Sequence, residues 1–317
     1  MQSAVLFLVF NRPDTTRQVF KAIRDAKPPR LYVAADGPRK NRKGEFERCE
    51  EVRRISTAVD WPCEVKTLFR DENVGCNLGP YGGISWFFEN EEEGIILEDD
   101  VLPLNSFFPY CDELLQKYRH DDRVGVISGC NLISNNFTPS ESYFFSRYNN
   151  VWGWASWRRA WKKYESPFNA WHEWRDSGGF ASVSDGNKWF ESYWRNLFDI
   201  AYSGEVDFWD YQWTFSCWYH GMVTALPAHN QTYNLGFGHP YAVHTRREAP
   251  EYIKQSIPET LVFPLSHPIT VERSIVADAM IDRLVYKTKR AFIRQSIMRI
   301  PLIGNLLKEI KRHLKNA

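Results

Sequence analysis

The chain lacks the glycine signatures of the common nucleotide folds, with no Gly-x-Gly-x-x-Gly and no Gly-x-x-x-x-Gly-Lys-Ser/Thr anywhere. Dehydrogenases of the dinucleotide-binding type and P-loop NTPases use those glycines to bring backbone against a pyrophosphate, so both classes are disfavoured. Long apolar runs are also missing. Residues 4–10 are apolar, but the run is far short of the roughly 20 residues that cross a bilayer and has no basic leader, so neither a membrane span nor a signal peptide is expected. Excess charge of one sign is absent, the formal net charge being +1, which argues against a general nucleic-acid binder. The six cysteines, Cys49, Cys63, Cys76, Cys111, Cys130 and Cys217, contain no Cys-x-x-Cys pair. They read as reduced, mostly buried thiols of a cytoplasmic protein, although an even count leaves disulfides open.

What the chain does have is length, 317 residues with 43% hydrophobic content, enough for one large core or two intimate ones. It also has an aromatic excess, with Trp concentrated between Val151 and Trp218. Such rings pad hydrophobic cores and stack on sugar faces.

The first hundred residues alternate strand and helix patterns. Ala4 to Phe10 reads as a buried strand, followed by Asn11-Arg12-Pro13-Asp14 and a helix to about Ala26 with Pro13 at its start. Leu31 to Ala35 is the next strand and ends on Asp36-Gly37-Pro38, where Asp36 is either an ordinary turn residue or an acceptor for a nucleobase or ribose. Phe46, Val52, Ile55 and Val59 fit a helix packed on the sheet, and Glu64 to Phe69 a third strand. The connection Asn73 to Pro80 then opens a helix carrying Ile84, Trp86, Phe87 and Phe88; Gly75 there would let backbone approach a phosphate. Gly94 to Val101 follows as an aliphatic strand ending on three adjacent carboxylates, Glu98, Asp99 and Asp100. Three neighbouring acids repel one another unless they face water or share a cation, and hard ions such as Mn2+ or Mg2+ take such oxygen ligands. At the carboxyl end of a strand in an open α/β sheet, these acids would border the ligand crevice. The pattern is that of an α/β fold with a mostly parallel sheet, its nucleotide-binding half spanning residues 1–130.

After a helix at Phe107 to Tyr118 and a strand at Val124 to Ser128 the pattern loosens, and residues 131–286 are expected to build acceptor recognition. Val151 to Trp157 holds three indoles, with Ser156 placed to cap a helix through Tyr164; Trp152 and Trp154 are candidates for a sugar site, as is Trp209. Trp171 to Asp176, Lys188 to Tyr202 and a segment from Asp207 to about His220 read as helices, and Val223 to Leu226 as a strand. Asp210 sits in the first turn of its helix, where the dipole stabilises an acid, and its aromatic frame also suits a general base. His244 is either an ordinary surface histidine or a metal ligand.

Taken in order, Phe10-Asn11-Arg12-Pro13, Ala35-Asp36-Gly37, Asn73-Val74-Gly75, Leu97-Glu98-Asp99-Asp100-Val101 and Phe208-Trp209-Asp210 resemble the GT-A nucleotide-sugar glycosyltransferases, particularly the inverting N-acetylglucosaminyltransferase I type. The closing Asn234-Leu235-Gly236-Phe237-Gly238 with Val243-His244-Thr245 is similar to the ending of bacterial sugar transferases of that superfamily. The resemblance covers roughly residues 1–247. It implies a metal-dependent, inverting transfer from a UDP-sugar to a glycan or lipid-linked acceptor, with Mn2+ or Mg2+ as cofactor. Asp100 would bind the metal directly, with His244 as a second ligand; Phe10, Asn11, Arg12, Asp36, Gly75, Glu98 and Asp99 would hold the donor, and Asp210 would be the base. The sequence departs from the commoner Asp-x-Asp in reading Glu-Asp-Asp.

Residues 287–317 form a separate device. Nine Lys or Arg against one acid, Glu309, give this stretch +8 and leave −7 on the rest of the chain. Its apolar residues interleave with basic ones on either side of Pro301, the pattern of an amphipathic tail that either lies peripherally on the inner membrane leaflet or packs on the body. Two other classes stay open: a sugar-nucleotide-forming nucleotidyltransferase, which normally has a Gly-rich, basic loop after its first strand, and a noncatalytic membrane-active protein acting through the tail.

Overall fold

The computed structural model describes residues 1–164, 168–205, 208–242, 245 and 247–298. At its centre is an eight-stranded sheet. In chain order the strands are β1 (Ala4–Val9), β2 (Arg30–Ala35), β3 (Glu64–Phe69), β4 (Glu93–Glu98), β5 (Val101–Pro103), β6 (Val124–Ser128), β7 (Tyr143–Ser146), β8 (Trp154–Trp157), β9 (Val223–Pro227) and β10 (Thr232–Asn234). Their order across the sheet is β3-β2-β1-β4-β8-β6-β9-β7, while β5 and β10 pair antiparallel as a small separate ribbon. All neighbours from β3 to β4 are parallel, and β6 pairs parallel with β9; β7 and β8 run against the rest. The expected α/β architecture with a mostly parallel central sheet is therefore present.

Side-chain alternation along the strands sorts the core into two layers. Leu6, Leu8, Tyr32, Ala34, Ile96 and Trp154 point to one face. There they meet α3 (Gly75–Asn90), α6 (Trp171–Asp176), α7 (Lys188–Tyr202) and α8 (Trp209–Tyr219), whose contributions include Phe87, Trp171, Trp194 and Trp213. Val5, Phe7, Val33, Ile95, Leu97 and Trp157 point the other way, onto α1 (Pro13–Ala26), α2 (Glu45–Ser56) and α4 (Phe107–Lys117). Parallel strands covered on both faces need such continuous apolar runs. The short α5 (Arg158–Trp161), α9 (Glu251–Gln255) and α10 (Ile275–Ile281) complete the described helices together with α11 (Thr288–Met298), a 3-10 turn and one π turn.

Two expectations need correction. Trp154 to Trp157 is a strand rather than a helix start: β8 lies between β4 and β6, buried on both faces, and the Ser156 hydroxyl donates to the Gly125 carbonyl (2.7 Å) instead of capping a helix. Phe46 is 61% exposed, so α2 packs through Cys49, Val52 and Ile55 without it, and Val59 lies beyond the helix end. The strands β7 and β10 were not expected at all. Because β8 joins β4 to β6, residues on either side of position 130 share one sheet. All six cysteines are free thiols. No described helix is long and apolar enough to cross a membrane, and the tail beyond Met298 lies outside the described residues.

Candidate active site

The chain proceeds outward from β1 to β2 to β3, then returns to place β4 on the other side of β1. That reversal splays the loops that leave the carboxyl ends of β1 and β4, which is where an open α/β sheet forms its crevice. Arg12 follows β1, and Glu98, Asp99 and Asp100 end β4. The Arg12 guanidinium bridges the reversal with a fork, one nitrogen on Asp99 Oδ1 (2.5 Å) and the other on Asp100 Oδ2 (2.7 Å). Burial works against the charged guanidinium, but the two carboxylates outweigh it and hold Arg12 firmly protonated. Asp99 is 2% exposed and also accepts the Phe10 backbone N–H (3.0 Å), so its role is to tie the ends of β1 and β4 together. Burial and the Asp100 charge nevertheless leave the Asp99 carboxyl above its ordinary range.

A cavity of about 380 Å3 opens in front of this fork. Phe10, Asn11, Arg12, Glu98 and Asp100 form one wall, and Trp152, Trp209, Asp210 and Tyr211 form the opposite one. A second cavity of about 210 Å3 adjoins it, sharing Phe10, Arg12, Cys76, Pro80 and Glu98 and adding Asp36, Asp99, Arg39, Arg70, Asn73 and Gly75. The two compartments have different characters: one is walled by aromatic rings and acids, the other by the α3 start and two arginines.

Glu98 and Asp210 look into the first compartment. Burial lifts the Glu98 carboxyl well above its ordinary range, reinforced by Asp100 and opposed by Arg12. Asp210 occupies the first turn of α8, and burial raises it to about 6 even though backbone N–H groups of that turn favour its charged form. The start of α8 is fixed from behind, since Tyr164 Oη donates to the Trp209 carbonyl (3.1 Å) and Thr214 Oγ1 to the Asp210 carbonyl (2.9 Å).

A loop closes the cavity from above. The β5–β10 ribbon carries the chain back over the acids, where the Leu235 N–H donates to the Asp100 carbonyl (2.7 Å) and Gly236 lies against the Asp100 carboxylate. A Cβ at position 236 would come within 2.2 Å of Asp100 Oδ2, so only glycine permits that approach. His239 pairs with Asp14 at the start of α1 (3.0 Å), and Arg48 lies over the Tyr241 ring (4.1 Å), pinning the loop to α1 and α2. Asn234, Tyr241 and Thr245 thereby join the cavity lining.

Of the residues singled out by sequence, Phe10, Asn11, Arg12, Glu98, Asp100, Trp152, Trp209 and Asp210 line the first compartment, and Asp36, Gly75 and Asp99 the second. Trp154 does not reach either; it is 1% exposed in the sheet and stacks beneath Trp209 (5.9 Å between rings). His244 lies outside the described residues. Several of the lining residues also have partners within the protein. Arg12 forks onto Asp99 and Asp100 while lining both compartments. Asp36 accepts from the N–H groups of Gly37, Val74 and Gly75 and from Asn73 Nδ2, which ties it to the α3 start. Asn11 likewise donates to the buried Glu45 (2.8 Å). Sequence reading missed Tyr211, Tyr241, Arg39 and Arg70 as lining residues. Arg70 had a usable signal, because it directly follows β3 at the same edge as Arg12, Asp36 and Asp99.

Among the described residues no group of three or more His, Cys, Asp or Glu side chains converges as a ready metal site. Asp100 with Glu98 beside it suits a different arrangement, in which a hard cation arrives on phosphate oxygens and takes one or two carboxylates from the protein.

No family model and no curated protein matches the sequence. Solved structures with partial likeness include HddC from Yersinia pseudotuberculosis, 9% identical over 50% of this chain and 77% of that one, at a TM-score of 0.29. A galactosyltransferase, LgtC, in complex with donor and acceptor sugar analogues is 11% identical over 55% of this chain and 64% of its own, at 0.33. UDP-glucose pyrophosphorylase complexed with UDP-glucose is 11% identical over 46% and 62%, at 0.26. These likenesses are confined to about half of the chain, and the chemistry of the cleft has to be argued from its own residues.

Proposed function

We propose that the cleft binds a nucleoside-diphosphate sugar in the GT-A manner and transfers the sugar, with inversion, to a saccharide acceptor. The observation that carries this reading is the facing pair: Asp100 and Glu98 on the sheet edge, and Asp210 with a raised pKa across one cavity from them. The smaller compartment, between β1, β2 and the α3 start, takes the nucleoside. The diphosphate then lies before Asp100, and the sugar reaches into the larger compartment beneath Trp152 and Trp209. A divalent cation held by Asp100 would neutralise charge on the departing diphosphate.

The chain's own groups supply the remaining steps. Asp210, titrating near 6, is ionised at neutral pH yet basic enough to accept the proton of an acceptor hydroxyl as that oxygen attacks the anomeric carbon. Attack from the face opposite the leaving diphosphate inverts the centre. Positive charge building on the sugar ring, as in glycoside cleavage, is met by the ionised Asp210 carboxylate already held in the wall. The loop pinned by His239 and Tyr241 keeps water from competing as the acceptor. Arg12 and Asp99 act by positioning, holding Asp100 at the mouth.

A nucleotidyltransferase would need a cation free to contact the attacked α-phosphate beside the first strand, and here the Arg12 fork is occupied by Asp99 and Asp100. Incubating the full chain with Mn2+ and a panel of UDP-, GDP- and dTDP-sugars decides between the readings. Release of nucleoside diphosphate, slow onto water and faster with saccharides, supports transfer; release of pyrophosphate from a nucleoside triphosphate and a sugar phosphate contradicts it. Placement on the inner membrane leaflet through residues 287–317 belongs to the same proposal, and co-sedimentation with liposomes should fall when that stretch is removed.

A further inference from the structure

A third cavity, of about 410 Å3, lies outside the cleft between the basic loop after β2 and the tip of the closing loop. Its lining is Arg39, Asn41, Arg42, Lys43, Glu45 and Arg48 on one side and Pro240, Tyr241 and Ala242 on the other. It shares Tyr241 with the compartment that holds Asp210 and Arg39 with the nucleoside compartment, so it opens beside both.

Its charge is one-sided. Glu45 is the single acid in the lining, and it is 1% exposed and already engaged, bridging Arg39 (2.6 Å) and Asn11 (2.8 Å). Arg48 approaches Glu45 only to 3.9 Å, rests on the Tyr241 ring, and keeps a buried Nε–H with no hydrogen-bond partner. Arg42 and Lys43 are exposed and make no ion pair among the described residues. Lys40, the next cation along, turns away to Glu72 (2.8 Å). Two exposed cations, Arg42 and Lys43, thus border a concave space with no ion-pair partner among the described residues, and Arg48 beside them meets the already engaged Glu45 only at 3.9 Å. Unpaired cations gathered around a cavity are most readily satisfied by an anionic ligand, and guanidinium groups match phosphate oxygens.

We propose that this groove binds a phosphoryl group carried by the acceptor, so that the saccharide to be extended is a phosphate or diphosphate ester. Its role in acceptor choice rests on the reading of the cleft as a nucleoside-diphosphate-sugar site, but its capacity to hold a phosphate does not. With the phosphate anchored between Arg42, Lys43 and Arg48, the attached sugar passes Tyr241 into the compartment that Asp210 faces. Selectivity follows from this geometry, because an uncharged saccharide would lack the anchor.

The test is a calorimetric titration of inorganic pyrophosphate into the full chain in metal-free buffer, for the wild type, the pair Arg42→Glu with Lys43→Glu, and the milder pair Arg42→Ser with Lys43→Ser. Both positions are exposed on a loop, so the variants should fold. Pyrophosphate should bind the wild type, at least ten-fold more weakly after charge reversal, with the serine pair between. UDP binding in Mn2+ should be the same in all three. Equal pyrophosphate affinity in wild type and reversed pair overturns the proposal, as does a reversed pair that loses UDP to the same degree, since the groove would then belong to the donor. Absence of UDP binding in every variant, with the pyrophosphate difference intact, counts against the cleft reading and leaves the groove standing. Co-sedimentation with phosphatidylglycerol vesicles on the same variants identifies the source, over the binding that residues 287–317 contribute to all of them: a fall on reversal marks a membrane-borne phosphate ester, and no fall a soluble one.

Discussion

At Asp210, burial and helix geometry act in opposite directions and burial prevails, moving the carboxyl from an ordinary 3.8 to about 6. Two outcomes follow with fixed signs. A base must be deprotonated to work, so kcat should rise through about pH 6 and level off above it, and a profile flat from pH 5 to 8 would remove Asp210 from that role. For stability, the folded state holds this proton more tightly than the unfolded chain, so the fold is favoured at low pH and loses up to about 3 kcal/mol as pH rises through 6. Asp210→Asn should accordingly abolish transfer while raising the melting temperature at pH 8, the two measured on one preparation. Arg12 has the reverse profile. Truncating it strands Asp99 and Asp100, both under 10% exposed, and Arg12→Ala should lose about 3 kcal/mol in denaturant unfolding. If Asp100 is a cation ligand, Mn2+ should restore part of that loss and raise the melting temperature of Arg12→Ala more than that of the wild type. At this scale the three acids and Asp210 were named from sequence as site candidates, and all four line the two compartments. The commitments of Arg12 and Asp36 were not legible, since a salt-bridge partner 87 residues away and a helix start 38 residues further on leave no trace in local sequence.

At the scale of elements, the site depends on how strand ends and one returning loop are held. The β4 end, the β5–β10 ribbon and the closing loop form a single clasp around Asp100, with Gly236 as its tightest point. Gly236→Ala forces a Cβ into the space of the Asp100 carboxylate, and it should weaken donor binding in Mn2+ by ten-fold or more while leaving the far-UV spectrum unchanged; calorimetry with unaltered affinity would refute the clasp. Opening the loop at its other anchor has a milder consequence. His239→Ala removes the pair with Asp14, an exposed contact worth about 1 kcal/mol or less, and should raise donor hydrolysis relative to transfer, read from the ratio of free sugar to product. The parallel strands β1, β2 and β4 were readable because each carries a continuous apolar run flanked by turn residues, and the edge strand β3 because it intersperses apolar with polar residues. β8 was not: its four residues are Trp, Ala, Ser and Trp, short and aromatic enough to pass for a helix start, and only insertion between β4 and β6 makes them a strand. The two tertiary pairings that create β7 and β10 join partners far apart in the chain, Tyr143 with Pro227 and Thr232 with Pro103, so local pattern had little to offer there.

At the scale of the whole molecule, the reversal of strand order beside β1 sets everything else. It puts Arg12 and the acids on one lip of a cleft, while the large aromatic layer on one sheet face supports α8 and Asp210 on the other. Of the three tryptophans named as sugar-site candidates, Trp154 serves that layer together with the fully buried Trp171, Trp194 and Trp213, while Trp152 and Trp209 line the cavity. Composition could not divide them, since an indole in a core and one in a sugar site are the same residue in the sequence. The central claim is that Asp100 presents a divalent cation to a nucleoside diphosphate in the cleft beyond β1 and β4. A crystal of the full chain soaked with Mn2+ and a nucleoside diphosphate tests it most directly: the account predicts an anomalous peak on the Asp100 carboxylate bridged to phosphate oxygens, with the nucleoside between Asp36 and Arg70. A cation and nucleotide lodged away from that cleft, or a nucleotide bound there with no cation at Asp100, would contradict it.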